Sequence, residues 1–105
     1  MKQLALNYFL AWNAQDANWL ENLFDQDIKL TDWDNSASGL ENVITMNKNI
    51  WKDVPNIWAE VLDIIEDDNA CAAILKIHIG SETLKVIDLF TMRNGKITSI
   101  DAYKG

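Results

Sequence analysis

Apolar residues near the start of the chain recur at the spacing of an α-helix. Leu4, Tyr8 and Trp12 fall on one side of such a helix, and the stretch 4–14 is apolar on nearly every side. This pattern predicts a well-buried first helix. Asp16, after a polar break, is suited to cap a short second helix. The apolar residues of that second helix are Trp19, Leu20, Leu23 and Phe24.

A strand and a third helix are predicted next. The stretch 28–33 alternates with period two, which predicts a strand after the DQD segment that ends the second helix. The sequence DNSASG predicts a loop, in which Ser38 can cap the following helix. An amphipathic stripe over 40–54, closed by Pro55, predicts that helix.

The second half of the chain has the pattern of strands. Four apolar stretches are separated by short turn sequences, of which Asn94-Gly95 is the strongest hairpin signal. The predicted strands are 57–66, 70–79, 82–92 and 96–103. Helices followed by an antiparallel meander predict an α+β fold with the helices on one face of a curved sheet. Residues 1–105 then form a single domain, and the conical space between helices and sheet suits a small apolar ligand.

Charge and cysteine content narrow the partners and the compartment. The 105 residues carry a formal net charge of −7 and a single arginine, which argues against nucleic acid and membrane surfaces as partners. The one cysteine, Cys71, excludes an internal disulfide and has apolar neighbours. The sequence has neither the pattern of a secretory signal nor a run of the ~20 apolar residues that span a membrane. We therefore expect a cytoplasmic protein.

Two aspartates lie where the pattern predicts buried strand faces. Asp88 is in the middle of a strand whose faces are both largely apolar, and it shares one face with Val86 and Phe90. An ionised carboxylate is costly to bury, so a carboxyl group in this position tends to be neutral. Asp32 repeats the pattern on the face that carries Leu30. For Asp32 an equal alternative is a carboxylate that ends its strand near solvent or accepts from a loop amide.

Tyr8 is the third candidate for chemistry. On a buried helix its hydroxyl group needs a hydrogen-bond partner. A carboxyl group in the conical space would serve, and so would the backbone or water, which are the commoner partners of a core tyrosine.

Three segments of the sequence together carry a family resemblance: YFLAWNAQD, LFDQDIKLTDWD and VIDLFTMRNGKITSIDAY. They combine a tyrosine in helix one, an aspartate that ends strand one, and a hairpin of the form D-x-F…GKI…I-x-A-Y. In this the chain resembles the ketosteroid isomerase branch of the NTF2-like (SnoaL-like) superfamily over nearly its whole length. The resemblance implies a cystatin-like, NTF2-like cone of three helices on a curved antiparallel sheet. In that family the first-strand aspartate is the general base, while the tyrosine and a protonated aspartate form the oxyanion hole.

Carried onto this chain, the resemblance implies that Asp32 is the base and that Tyr8 and neutral Asp88 donate hydrogen bonds to an enolate. Strand alternation and the family register together give the residues of the pocket face: Val86, Phe90, Ile100 and Ala102. Trp33 is a further candidate for the wall that binds substrate. It follows Asp32 where the family has proline, and Lys104 replaces a usual aromatic residue. These departures bear on the size of the substrate more than on the pocket.

The sequence supports three functional hypotheses. The first is an isomerase that moves a proton within a small apolar carbonyl compound. The second is a non-catalytic module of the same fold that binds a hydrophobic ligand or forms dimers. The third is a cyclase-like aldol catalyst that relies chiefly on Asp88.

The sequence also gives expectations for cofactors, metals and assembly. We expect no cofactor and no metal, since His78 is the only histidine and has no companion at ligand spacing. Ile87 and Leu89 face away from Asp88 along the same strand. We therefore expect a homodimer that forms through this face of the sheet.

Overall fold

The computed structural model describes every residue from 1 to 105 and contains three helices and six strands. The helices are α1 (Lys2–Asn13), α2 (Ala17–Leu23) and α3 (Leu40–Asp53). The strands are β1 (Phe24–Thr31), β2 (Ser36–Ser38), β3 (Trp58–Glu66), β4 (Ala70–Ile79), β5 (Glu82–Arg93) and β6 (Lys96–Lys104). The predicted α+β class, with its three helices in the N-terminal half, is confirmed.

All six strands belong to one curved, unclosed sheet in the order β2-β1-β6-β5-β4-β3. The last four strands form the predicted antiparallel meander, whereas β1 runs parallel to β6. Register shifts interrupt three of the five strand pairings, and such bulges bend a sheet. The helices pack on one face, called the inner face below, and enclose a space with it.

The connection between α2 and α3 differs from the prediction at three points. Phe24, assigned to the second helix, begins β1, so the DQD segment lies within the strand. The segment assigned to a loop contains β2, which pairs with β1. Gly39 caps α3 instead of Ser38, and its φ of 89° is a backbone conformation that glycine adopts at little cost.

The short helix α2 begins as the sequence predicts. The carboxylate of Asp16 accepts a hydrogen bond from the Trp19 amide at 3.1 Å. Leu20 and Leu23 are the residues of this helix that enter the core, so the Trp19 side chain is left partly exposed. None of the three helices has the length and apolarity needed to cross a lipid bilayer.

Alternation along β5 and β6 separates a buried inner face from an exposed outer face. Val86, Asp88 and Phe90 point inward and are buried. On the outer face Ile87 is 45% exposed, and its register partner Tyr103 on β6 is 60% exposed. The strand therefore presents a carboxyl group to the helices and an apolar surface to solvent.

Candidate functional site

A cavity of about 230 Å³ lies between the helices and the inner face of the sheet. Twenty-one residues line it, and 16 of them are hydrophobic. The polar groups on its wall include the carboxyl groups of Asp32 and Asp88, the hydroxyl of Tyr8 and the amide of Asn47. The three residues that the sequence singled out for chemistry therefore line the same cavity.

Asp88 enters the cavity from the middle of β5. Its register partners are Ala73 on β4 and Ala102 on β6, two small residues that leave room beside the carboxyl group. Asp88 is only 7% exposed, and this burial is the main cause that raises its pKa from 3.8 to about 7. The negative charge of Asp32 is the second cause. At neutral pH a large share of the Asp88 carboxyl groups is protonated and can donate a hydrogen bond.

Tyr8 reaches the cavity from α1. Its ring packs edge-on against Phe9 and Phe90, with ring centroids 5.0 and 5.5 Å apart, and this packing fixes the direction of the hydroxyl group. Burial first, and then the charge of Asp88, raise the pKa of Tyr8 well above its ordinary value of 10.0. The phenol is therefore protonated at neutral pH and is a hydrogen-bond donor.

Asp32 lies directly after β1 and is half-buried. Its Oδ1 accepts hydrogen bonds from the backbone amides of Asp34 at 2.8 Å and Asn35 at 2.6 Å. The sequence leaves two alternatives for Asp32: a carboxylate that faces the cavity, or one that accepts hydrogen bonds from loop amides. In the structure Asp32 does both, since it also lines the cavity. The loop amides orient the carboxylate through Oδ1, and Oδ2 takes no part in those two hydrogen bonds.

Four of the five predicted substrate-binding residues line the cavity: Trp33, Val86, Ile100 and Ala102. Phe90 is the fifth residue. Its side chain shares the inner face of β5 but is completely buried behind the rings of Tyr8 and Phe9, so it supports the tyrosine from behind. Lys104, at the end of β6, holds its Nζ 5.5 Å from the ring centroid of Trp33, a cation–π contact.

Asn47 on α3 is the wall residue that the sequence interpretation missed. Asn47 and Asp88 are the two buried polar residues of the chain, and Asn47 is only 1% exposed. Its Oδ1 accepts a hydrogen bond from Trp12 Nε1, and its Nδ2 donates to the carbonyl oxygen of Val43, both at 3.0 Å. The available signal is its helical spacing from Val43 and Trp51, which puts a polar residue inside an apolar stripe.

The histidine lies away from this cavity. His78 Nε2 is 2.9 Å from Glu60 Oε1, and its ring stacks on Trp58 with centroids 4.4 Å apart. Neither His78 nor Trp58 lines the cavity. No three His, Cys, Asp or Glu side chains are grouped in a way that could hold a metal ion.

Known structures share this architecture over nearly the whole chain. An NTF2-like protein of unknown function from Cytophaga hutchinsonii has a TM-score of 0.87 at 17% identity and covers 99% of this chain and 88% of its own. A proposed ketosteroid isomerase from Kribbella flavida has a TM-score of 0.86 at 16% identity, and the match covers 98% of this chain and 76% of the Kribbella chain. A proposed polyketide cyclase from Sinorhizobium meliloti has a TM-score of 0.87 at 19% identity, and the match covers 95% of this chain and 93% of the Sinorhizobium chain. These similarities establish the NTF2-like fold.

The family follows from the sequence itself. No curated protein sequence matches the chain significantly. The family model of the SnoaL-like domain matches residues 5–100, a range that includes Tyr8, Asp32 and Asp88. The chain belongs to the SnoaL-like domain family.

Proposed function

We propose that this protein is an isomerase that transfers a proton within a small apolar carbonyl compound. The carbonyl oxygen of the substrate lies between the hydroxyl of Tyr8 and the carboxyl of Asp88. The observation that carries the proposal is a carboxyl group buried in the apolar cavity wall that also carries the Tyr8 hydroxyl, and this burial raises the pKa of Asp88 to about 7. Both groups donate hydrogen bonds when protonated, and a developing enolate oxygen gains most from such donors in a dry site.

Asp32 is the base in this mechanism. Its Oδ1 is held by two loop amides, so Oδ2 is the atom that removes a proton from the carbon next to the carbonyl. The electrons shift to the carbonyl oxygen and form a dienolate, which Tyr8 and Asp88 stabilise. Oδ2 then returns the proton to the γ-carbon, and the double bond moves into conjugation with the carbonyl. The cycle leaves the enzyme unchanged and needs no redox step.

The size of the cavity limits the substrate. Sites for drug-sized ligands have volumes of roughly 300–1,000 Å³, and this cavity has about 230 Å³. A monocyclic or short-chain ketone fits such a volume better than a steroid. This agrees with the departures at Trp33 and Lys104 from the isomerase pattern.

The isomerisation of cyclohex-3-enone to cyclohex-2-enone, followed by ultraviolet absorbance, tests this function. The wild-type protein is expected to accelerate the reaction, and Asp32→Asn to lower the rate by about 10²- to 10⁴-fold, the usual contribution of a general base. Asp101→Asn is the matched control, because it removes the same charge from a neighbouring strand outside the cavity wall. An equal loss in both variants, or no acceleration by the wild type, would contradict the proposal.

A second candidate function is an aldol cyclisation in which Asp88 alone moves the proton. It is favoured by the pKa of about 7, because a group that titrates near neutral pH both removes and returns protons efficiently. Cyclisation of heptane-2,6-dione separates the candidates. The aldol catalyst loses this activity in Asp88→Asn and keeps it in Asp32→Asn, whereas the isomerase requires Asp32 for enone isomerisation.

The outer face of the sheet supports a further proposal, that two copies of the chain pair through it. Ile65 on β3, Ile87 and Leu89 on β5, and Tyr103 on β6 are all at least 36% exposed there. Lys85 precedes them on β5 and Glu60 lies on β3, so both signs of charge border the apolar rows. A twofold axis buries such a patch against itself and brings opposite charges near each other.

A further inference from the structure

The proposed reaction does not use one of the two buried polar residues of the chain. A side-chain amide carries two N–H donors and an oxygen with two lone pairs. In Asn47 the oxygen receives the indole N–H of Trp12, and one N–H is given to the carbonyl oxygen of Val43. Its second N–H has no such partner. Because Asn47 is 1% exposed and lines the cavity, the contents of the cavity determine whether this donor is satisfied.

The contact with Trp12 also settles which atom of the amide is which. An indole nitrogen is only a donor, so the atom that it meets at 3.0 Å must be the amide oxygen. The nitrogen is then the atom next to Val43, and the unused group is an N–H. The complementary ligand group is therefore an acceptor: a carbonyl, ether or hydroxyl oxygen.

The position of Trp12 places this donor along the cavity. Trp12 follows Tyr8 by four residues on α1, and both line the cavity. Four residues of helix rise by about 6 Å. Asn47 is bonded to the Trp12 side chain, so its amide lies at the part of the cavity that Trp12 lines.

We infer that Asn47 is a second polar subsite, which makes the cavity selective for bifunctional compounds. One oxygen of the ligand lies between Tyr8 and Asp88, and a second acceptor oxygen, beside Trp12, accepts a hydrogen bond from the free N–H of Asn47. The substrate class becomes a small ketone with a distal carbonyl, ether or hydroxyl group. This inference rests on the proposed function for the Tyr8 end only.

Two phenols that differ at the distal end test the subsite. The phenol group mimics an enolate, 4-hydroxyacetophenone carries a distal carbonyl oxygen, and 4-isopropylphenol replaces that oxygen by a methyl group. Asn47→Leu keeps the approximate shape of the side chain. It is expected to weaken the binding of 4-hydroxyacetophenone by about fivefold or more, which is the value of one ordinary hydrogen bond. The affinity for 4-isopropylphenol is expected to change by less than about twofold. Ile50→Val is the matched control on the same wall, and it should affect both phenols alike.

A measurement on the wild-type protein tests the subsite without requiring that the Asn47 variant folds. In a titration followed by nuclear magnetic resonance, 4-hydroxyacetophenone should shift the side-chain amide signal of Asn47, and 4-isopropylphenol should leave it in place. If both phenols perturb the Asp88 carboxyl while neither shifts Asn47, the subsite is wrong and Asn47 only holds Trp12. If neither phenol perturbs Asp88, the proposed function fails, and the inference fails with it.

Discussion

The negative charge of Asp32 raises the pKa of Asp88 across a shared cavity, in addition to the larger effect of burial. The two carboxyl groups have opposite surroundings. Asp88 lies among apolar side chains at 7% exposure, whereas Asp32 is half-buried and accepts two backbone hydrogen bonds. Burial and the neighbouring carboxylate therefore favour the proton on Asp88, as the proposed mechanism requires.

Replacement of Asp32 by asparagine should lower the pKa of Asp88. The amide oxygen of the introduced side chain can still accept the two loop amides, so we expect the variant to keep its fold. The charge that disfavours ionisation of Asp88 is lost, and its pKa should fall below about 7. Carboxyl-carbon resonances of the variant measure this shift, and an unchanged Asp88 pKa would mean that the two groups are not coupled.

Removal of the Tyr8 hydroxyl should impair catalysis and leave the fold intact. In Tyr8→Phe the ring still packs against Phe9 and Phe90. One oxyanion donor is absent, so the rate of enone isomerisation should fall by about 10²- to 10³-fold. The loss should appear in kcat rather than KM, because the hydrogen bond strengthens as the enolate forms. A loss confined to KM would assign Tyr8 to binding alone.

The pH dependence of stability should carry the signature of Asp88. Between its ordinary pKa of 3.8 and its folded pKa of about 7, the native protein keeps a proton that the unfolded chain releases. The free energy of unfolding therefore falls as pH rises through this window, by on the order of 4 kcal/mol from this group. Asp88→Asn removes that contribution. Urea unfolding at pH 5 and pH 8 should show a smaller decline for the variant than for the wild type, and equal declines would refute the raised pKa.

A charge on the outer face should separate the proposed dimer. Ile87→Glu places a carboxylate in the middle of the apolar patch, on the face opposite the cavity. Analytical ultracentrifugation should detect a dimer for the wild type and a monomer for this variant, with catalysis per chain preserved. Lys29→Gln, on the exposed outer side of β1, is a control with the same charge change of −1 outside the patch and should leave the dimer intact. A wild-type monomer at all concentrations would end the proposal.

The sequence predicts most of the sheet because its information there is local. Alternation along β5 fixes which side of the strand Asp88 faces, and turn residues such as Asn94-Gly95 fix the hairpin that follows. The parallel pairing of β1 with β6 depends on contacts between distant residues, which a local pattern does not contain. The early start of β1 at Phe24 has the same cause, because an apolar residue at that point fits either a helix or a strand.

Residues of the candidate site can be predicted from sequence where a polar side chain interrupts an apolar pattern. A buried aspartate in an apolar strand stands out, and so Asp88 can be singled out from sequence. The pattern leaves Asp32 balanced between two roles, since its loop hydrogen bonds depend on the backbone of Asp34 and Asn35. Alternation puts Phe90 on the inner face, but it does not show that the ring is completely buried against Tyr8 and Phe9, because alternation gives the face of a strand and not the depth of a side chain. Asn47 belongs to the same cavity, and only the fold brings α3 to it.

The pKa of Asp88 in the wild-type protein tests the proposed isomerase mechanism most directly. The pKa is measured by following the carboxyl-carbon resonances by nuclear magnetic resonance from pH 3 to pH 9. The Asp88→Asn variant assigns the Asp88 signal. The isomerase mechanism predicts a titration near 7, with the carboxyl group protonated at pH 5. A titration at or below the ordinary value of 3.8 would mean that Asp88 is ionised in the folded protein. It could then not donate a hydrogen bond to an enolate, and the isomerase mechanism would be wrong.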